Sequence, residues 1–187
     1  WYMEKETLAL FLNHYLSLAT IVGGGALVVL VGYFVYISYT NKNSTLLNTV
    51  SDYILPLGFF MTVGGAFMTL FYSEYLHYVP CDLCWYQRVF LYPQIILFGY
   101  AWYKKDRTIV PYSILLSVVG GAIAVYHHML QIGYDIYKPC STAPFAVDCA
   151  KPSFIEYGFV TFPLMSALLF AFLITLLVTS LKARHIQ

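Results

Sequence analysis

The sequence predicts an all-α integral membrane protein, a four-helix transmembrane bundle preceded by one extra N-terminal transmembrane helix. Three observations carry this. Of 187 residues, 10 are Lys or Arg and 9 are Asp or Glu, so 10% are charged while 60% are hydrophobic. An ordinary soluble domain has about 25% charged and 45–50% apolar residues. The charges also lie between long uncharged runs, at 7–41, 53–73, 89–103, 108–134 and 157–181. Finally, the net charge is only +1, which with this hydrophobicity excludes a disordered chain and a basic nucleic-acid binder.

Each run is then tested against the ~20 apolar residues that a helix needs to cross a bilayer core. The first run follows Glu4-Lys5-Glu6, a net-negative lead, and is too long for the apolar region of a signal peptide, so it is expected to be a retained span. The second, fourth and fifth runs are long enough unaided. The third, 89–103, is short by about a turn and qualifies only by extending back through Arg88 towards Leu83. An ionisable residue inside a membrane helix marks a functional site by default; the competing reading is an arginine that snorkels to the interface. Gly23-Gly24-Gly25, Gly64-Gly65 and Gly120-Gly121 fall mid-span, where small residues let helices approach closely.

Five spans place the N-terminus, 74–82 and 135–156 on one side. The segment 42–52, the turn Lys104-Lys105-Asp106-Arg107 and the C-terminal tail lie on the other. With Arg88 set aside, the first side holds three basic residues (Lys5, Lys138, Lys151) and the second holds six. The positive-inside bias then puts the N-terminus outside and the C-terminus in the cytoplasm.

All four cysteines, Cys81, Cys84, Cys140 and Cys149, fall on the expected outside, the compartment in which disulfides persist. Four cysteines allow three pairings, and proximity favours Cys81–Cys84 with Cys140–Cys149 without establishing it. Pro80-Cys81-Asp82-Leu83-Cys84 is a C-x-x-C where the third span begins. The positive end of a helix dipole favours thiolate there. Arg88 follows Cys84 by four residues, on the same face and one turn deeper, where its charge lowers a thiol pKa and can hold an anionic or carbonyl-bearing acceptor. The second pair lies in a loop stiffened by Pro139, Pro144 and Pro152. That loop either presents a disulfide to a soluble protein or is merely stapled by it. Zinc is the main rival for the first pair, but the spacing of Cys140 and Cys149 is not that of a second ligand pair; no metal is expected. His127 and His128 end the fourth span at a depth comparable with Arg88, where an imidazole can bond a carbonyl or carry protons.

These residues carry a family resemblance. Pro80-Cys-Asp-Leu-Cys-Trp-Tyr-Gln-Arg88, running on to Leu91-Tyr92-Pro93, resembles the signature of the DsbB-type disulfide bond formation proteins, and is closest to their short Gram-positive form. Lys138-Pro139-Cys140 and Gly158-Phe159-Val160-Thr161-Phe162-Pro163 resemble that family's second cysteine loop and the start of its last span. The resemblance covers roughly 51–181, so a domain division into 1–50, with the extra helix, and 51–187 is expected. It implies a thiol:quinone oxidoreductase of the bacterial cytoplasmic (inner) membrane. Such a protein reoxidises an extracytoplasmic thioredoxin-fold dithiol oxidase (DsbA-like) and passes the electrons to ubiquinone or menaquinone. Cys140 would exchange with the partner's thiol, and Cys81–Cys84 would reoxidise the loop pair Cys140–Cys149. Cys84 would form the adduct with the quinone, Arg88 would stabilise its charge, and His127 would match the quinone-side histidine. The span in 1–50 is absent from the usual four-helix form.

A reading from a different class is a non-enzymatic membrane scaffold or small transporter whose cysteines are structural staples. Arg88 argues against it, because a staple gains nothing from a cation one turn into the membrane. Export of electrons in the reverse direction would need a cysteine in the membrane or cytoplasm, and the chain has none there.

Overall fold

A computed structural model describes residues 2–40, 45–134 and 147–186. Most of them fall in five helices: α1 (Tyr2–Thr40), α2 (Thr45–Leu70), α3 (Asp82–Lys104), α4 (Val110–Gln131) and α5 (Phe162–Ile186). There is no strand among the described residues; an isolated bridge joins Glu156 to Val160. Four stretches are long and apolar enough to cross a membrane, namely Met3–Ile37, Tyr53–Tyr75, Val110–Gln131 and Phe162–Lys182. The protein is an all-α, multi-pass membrane protein. The remaining helix, α3, is the one that carries Arg88, and it reaches back to Asp82 as its short apolar run requires. α2 begins at Thr45, ahead of the boundary expected at 51, so that boundary cuts through a helix.

The four helices α2–α5 close into a ring in which α2 touches α3 and α5, and α4 touches the same two. α1 stands outside the ring against α5. Its 39 residues make a rod of about 58 Å, far longer than a ~30 Å hydrocarbon core. The ring is filled by Ile54, Phe98, Phe170, Leu173 and Leu177, all buried. Close approach depends on glycine at Gly65 against Leu169 and at two further points. A Cβ on Gly58 would stand 2.5 Å from Phe98, and one on Gly120 would stand 2.5 Å from Phe170. Where α3 meets α4, Ser117 Oγ donates to Gln94 Oε1 at 3.2 Å and Gln94 Nε2 donates to the Phe90 carbonyl at 2.9 Å; the buried Ser113 and Ser180 hydroxyls have no hydrogen-bond partner among the described residues.

One end of the ring is shaped to hold the C-x-x-C. α2 runs into a π-helical turn at Phe71–Tyr75, a widening often found at functional sites. The Leu76 and Tyr78 amides close it on the Phe71 and Tyr72 carbonyls. His77 then takes a left-handed conformation, φ 61°, and the chain turns back. Pro80 cannot continue a hydrogen-bonded turn. Cys81 enters extended (φ −79°, ψ 173°) as the N-cap of α3.

Candidate functional site

Cys81 therefore sits just before the first turn of α3 and Cys84 within it. Both are free thiols, with Cys81 buried and Cys84 half-buried, and their sulfurs are 3.2 Å apart. Asp82 between them supplies the acidic residue that suits a helix N-terminus.

The two sulfurs face different surroundings. Cys81 packs with Leu83, Leu130 and Cys149 in a small buried cluster at the end of the ring. His127, fully buried on α4, brings Nε2 to 3.5 Å from Cys81 Sγ and 3.2 Å from the Cys149 carbonyl oxygen. A carbonyl only accepts, so Nε2 carries the proton. The Nδ1 atom, 3.0 Å from Gln87 Nε2, then accepts from that amide. Gln131, one turn along α4, approaches Nε2 to 3.2 Å. Cys149 is disulfide-bonded. Cys140, Lys138, Pro139 and Pro144 lie outside the described residues. His128, the next residue on α4, instead bonds Thr161 Oγ1 at 2.9 Å across to the start of α5.

Cys84 opens onto a cavity of about 320 Å³ between α2, α3 and α5. Its walls are mainly apolar, including Met68, Leu91, Phe162 and Leu169, while Cys84, Gln87 and Arg88 bring polar groups from α3. Among the described residues Arg88 is the one charged residue on that lining, and it is only 7% exposed. Its Nη2 donates to the Thr69 carbonyl at 3.0 Å, and its guanidinium lies 4.9 Å from the Trp85 ring centre. Arg88 is thus a buried, fixed cation and not a snorkelling one. The family of donors at Cys81, Cys84 and His127 lies within 4.8 Å, a set that a soft cation could use. Two thiolates on tetrahedral zinc stand about 3.7 Å apart, whereas these sulfurs are closer, on the way to the ~2.05 Å of a disulfide.

The family resemblance implies His127 on the acceptor side. It does not line the cavity, but lies across α3 from it, against Cys81. The pairing depends on how α4 packs on α3, which spacing along one helix does not reveal. The site also uses Gln87, Gln131 and the Thr69 carbonyl, to which the sequence pattern assigns no role. The signal available for the two glutamines was their cost: amides inside membrane helices are expensive unless they are partnered.

The fold and site define a class: a multi-pass helical membrane protein with a C-x-x-C dithiol set between a cysteine-bearing loop and a buried cationic cavity. The sequence model described as "Disulfide bond formation protein DsbB" matches residues 51–180, and the chain belongs to that family. It is 38% identical over 142 residues to the SPbeta prophage-derived disulfide bond formation protein B of Bacillus subtilis (strain 168), covering 74% of this chain and 94% of that one. It is 35% identical over 133 residues to a probable disulfide formation protein of Chlamydia trachomatis serovar D, covering 71% and 96%. It is 31% identical over 108 residues to disulfide bond formation protein C of B. subtilis, covering 57% and 76%. No solved structure matches the chain.

Proposed function

We propose that the protein is a membrane thiol:quinone oxidoreductase that generates disulfides. It reoxidises an extracytoplasmic thioredoxin-fold dithiol oxidase and delivers the electrons to ubiquinone or menaquinone. The observation that supports this best is the division of the C-x-x-C. Cys81 faces Cys149 and His127, while Cys84 faces the cavity beside Arg88. One dithiol therefore addresses two exchange partners without moving its helix.

The cavity suits a quinone ring. Its volume lies at the lower end of the ~300–1,000 Å³ of small-molecule sites, and its apolar walls suit a lipid-soluble ring. The Arg88 guanidinium and the Gln87 amide are donors for a carbonyl oxygen. A bound quinone would supply an acceptor for two electrons and two protons.

In the steps carried by the chain itself, the loop pair Cys140–Cys149 exchanges with the partner oxidase and becomes a dithiol. That dithiol then reduces the Cys81–Cys84 disulfide, taking its oxidised form back as two electrons pass to the C-x-x-C. When the Cys81–Cys84 disulfide re-forms, the two electrons leave by way of Cys84 at the cavity together with its thiol proton. The second proton that an acceptor takes up comes from solvent, Cys81 having already released its own as a thiolate. His127 steadies Cys81 through its Nε2 proton, and Arg88 fixes negative charge at the cavity. Membership of a disulfide-forming family favours this reading over a structural staple.

The test is anaerobic turnover with a reduced thioredoxin-fold oxidase and ubiquinone or menaquinone analogues. Cys81→Ala and Cys84→Ala should each abolish quinone reduction, and unchanged turnover in both would sink the reading. Arg88→Ala should raise the quinone KM roughly 10- to 100-fold, the value of a lost charged hydrogen bond. Loop thiol exchange should remain.

A further inference from the structure

The four-helix ring does not enclose the cavity by itself. Leu16 of α1 lines it, together with Met68, Tyr72, Phe162 and Leu169. On either side of Leu16, α1 buries two polar side chains, Asn13 and Ser17. Asn13 Oδ1 accepts a 2.7 Å hydrogen bond from the Tyr72 hydroxyl, and Tyr72 is itself part of the cavity wall. Ser17 Oγ donates to Glu156 Oε2 at 3.3 Å, and the other oxygen of Glu156 is 2.8 Å from His14 Nδ1. Glu156 belongs to the turn that leads into α5, closed by the Val160 amide on the Glu156 carbonyl. Deeper along α1, Gly23 and Gly24 lie against Phe172 and Leu168 of α5.

Small residues let α1 approach the ring, and polar side chains that bond across helices hold it there. Buried, partnered Asn and Ser fix one rotation and one depth of α1, because a slip would strand them in hydrocarbon. In that register the residue between them is Leu16, aimed into the cavity. The opposite flank of α1, with Val22, Val28 and Val29, stays exposed.

We infer that α1 is a resident wall of the acceptor cavity and that Leu16 is its specificity-determining residue, setting which ring sizes enter beside Cys84 and Arg88. This rests on the reading of that cavity as the quinone site. A bulkier side chain at 16 narrows the cavity from the α1 side, and a smaller one widens it, without touching the cysteines.

The test measures binding in the absence of turnover. Full-length protein in lipid nanodiscs, with its cysteines oxidised, is titrated with decyl-ubiquinone and with a short-chain naphthoquinone. The readout is quenching of tryptophan fluorescence, for which Trp85 beside Arg88 is the reporter. Leu16→Phe should weaken both ligands, the naphthoquinone with its wider fused ring by about tenfold, the scale on which a pocket discriminates small changes in volume. Leu16→Ala should shift preference towards the naphthoquinone. Val22→Phe, at a residue 72% exposed on the outer flank, should bind as wild type. If Leu16→Phe does not fold, by thermal unfolding, the preference of Leu16→Ala decides alone. Wild-type constants in the folded Leu16 variants would overturn the role of α1. Absence of saturable quenching in the unmodified protein would instead overturn the quinone reading, and this inference with it.

Discussion

Cys81 shows how far one residue's chemistry is set by its neighbours. In the dithiol state its pKa is lowered to about 4. The largest cause is the hydrogen bond from the Cys84 thiol; burial opposes it, and the hydrogen bond from His127 adds to the lowering. Such a thiol is a thiolate above its pKa and regains its proton only as the pH falls through about 4. Reduced protein should therefore keep its thiolate absorbance near 240 nm down to about pH 5, where an ordinary thiol of pKa ~8.5 has none. His127→Leu removes the imidazole and leaves the burial, so the loss of absorbance should move to higher pH. An unchanged midpoint would show that His127 does not act on Cys81. The C-x-x-C and Arg88 were legible because they sit within one helical turn of each other. The neighbour of Cys81 on α4 was not, since His127 is 46 positions along the chain.

Among the elements, the mid-span glycines show what a pattern hides. Gly25, Gly64 or Gly65, and Gly120 all sit in similar glycine-rich, alanine-flanked settings. The structure separates them. A Cβ on Gly120 meets the buried ring of Phe170 at 2.5 Å, and one on Gly65 meets Leu169 at 2.6 Å, while Gly25 and Gly64 have nothing within 4 Å. The difference comes from which face of each helix turns to α5, and composition does not record it. Gly120→Val should overpack the α4–α5 contact and cost about 1–3 kcal/mol, seen as a lower unfolding temperature in detergent. Gly25→Ala should hold or raise that temperature, because alanine is favoured over glycine in an open helix position by about 0.5–1 kcal/mol. Equal losses in the two variants would contradict the packing described. The π-helical turn at Phe71–Tyr75 was also illegible, yet it is what places Tyr72 between the cavity and Asn13 of α1.

For the molecule as a whole, the distribution of charge and the distribution of cysteine point in opposite directions along one axis. The described cysteines lie where α3 begins and where the chain approaches α5, at the same end as the start of α1, whose Lys5 donates to the Tyr75 carbonyl at 3.0 Å. The turn Lys104–Arg107 joins α3 to α4 at the other end, where α5 also finishes. Six of the nine basic residues outside Arg88 belong to that second end by sequence. Basic residues resist translocation, and disulfide exchange needs an oxidising compartment, so we infer the orientation that meets both constraints, with the cysteine end outside. The extra helix preserves this. A chain of five spans must have its ends on opposite sides, so adding α1 moves only the N-terminus and leaves α2–α5 as a four-span protein would have them. A full-length chain with green fluorescent protein at its C-terminus should therefore fluoresce in intact bacteria. The same chain carrying alkaline phosphatase there should be inactive, because that enzyme needs disulfides formed outside the cytoplasm. A dark fluorescent-protein fusion with an active phosphatase fusion would reverse the orientation. It would also leave the dithiol facing a reducing compartment, where generating disulfides for a secreted partner is impossible.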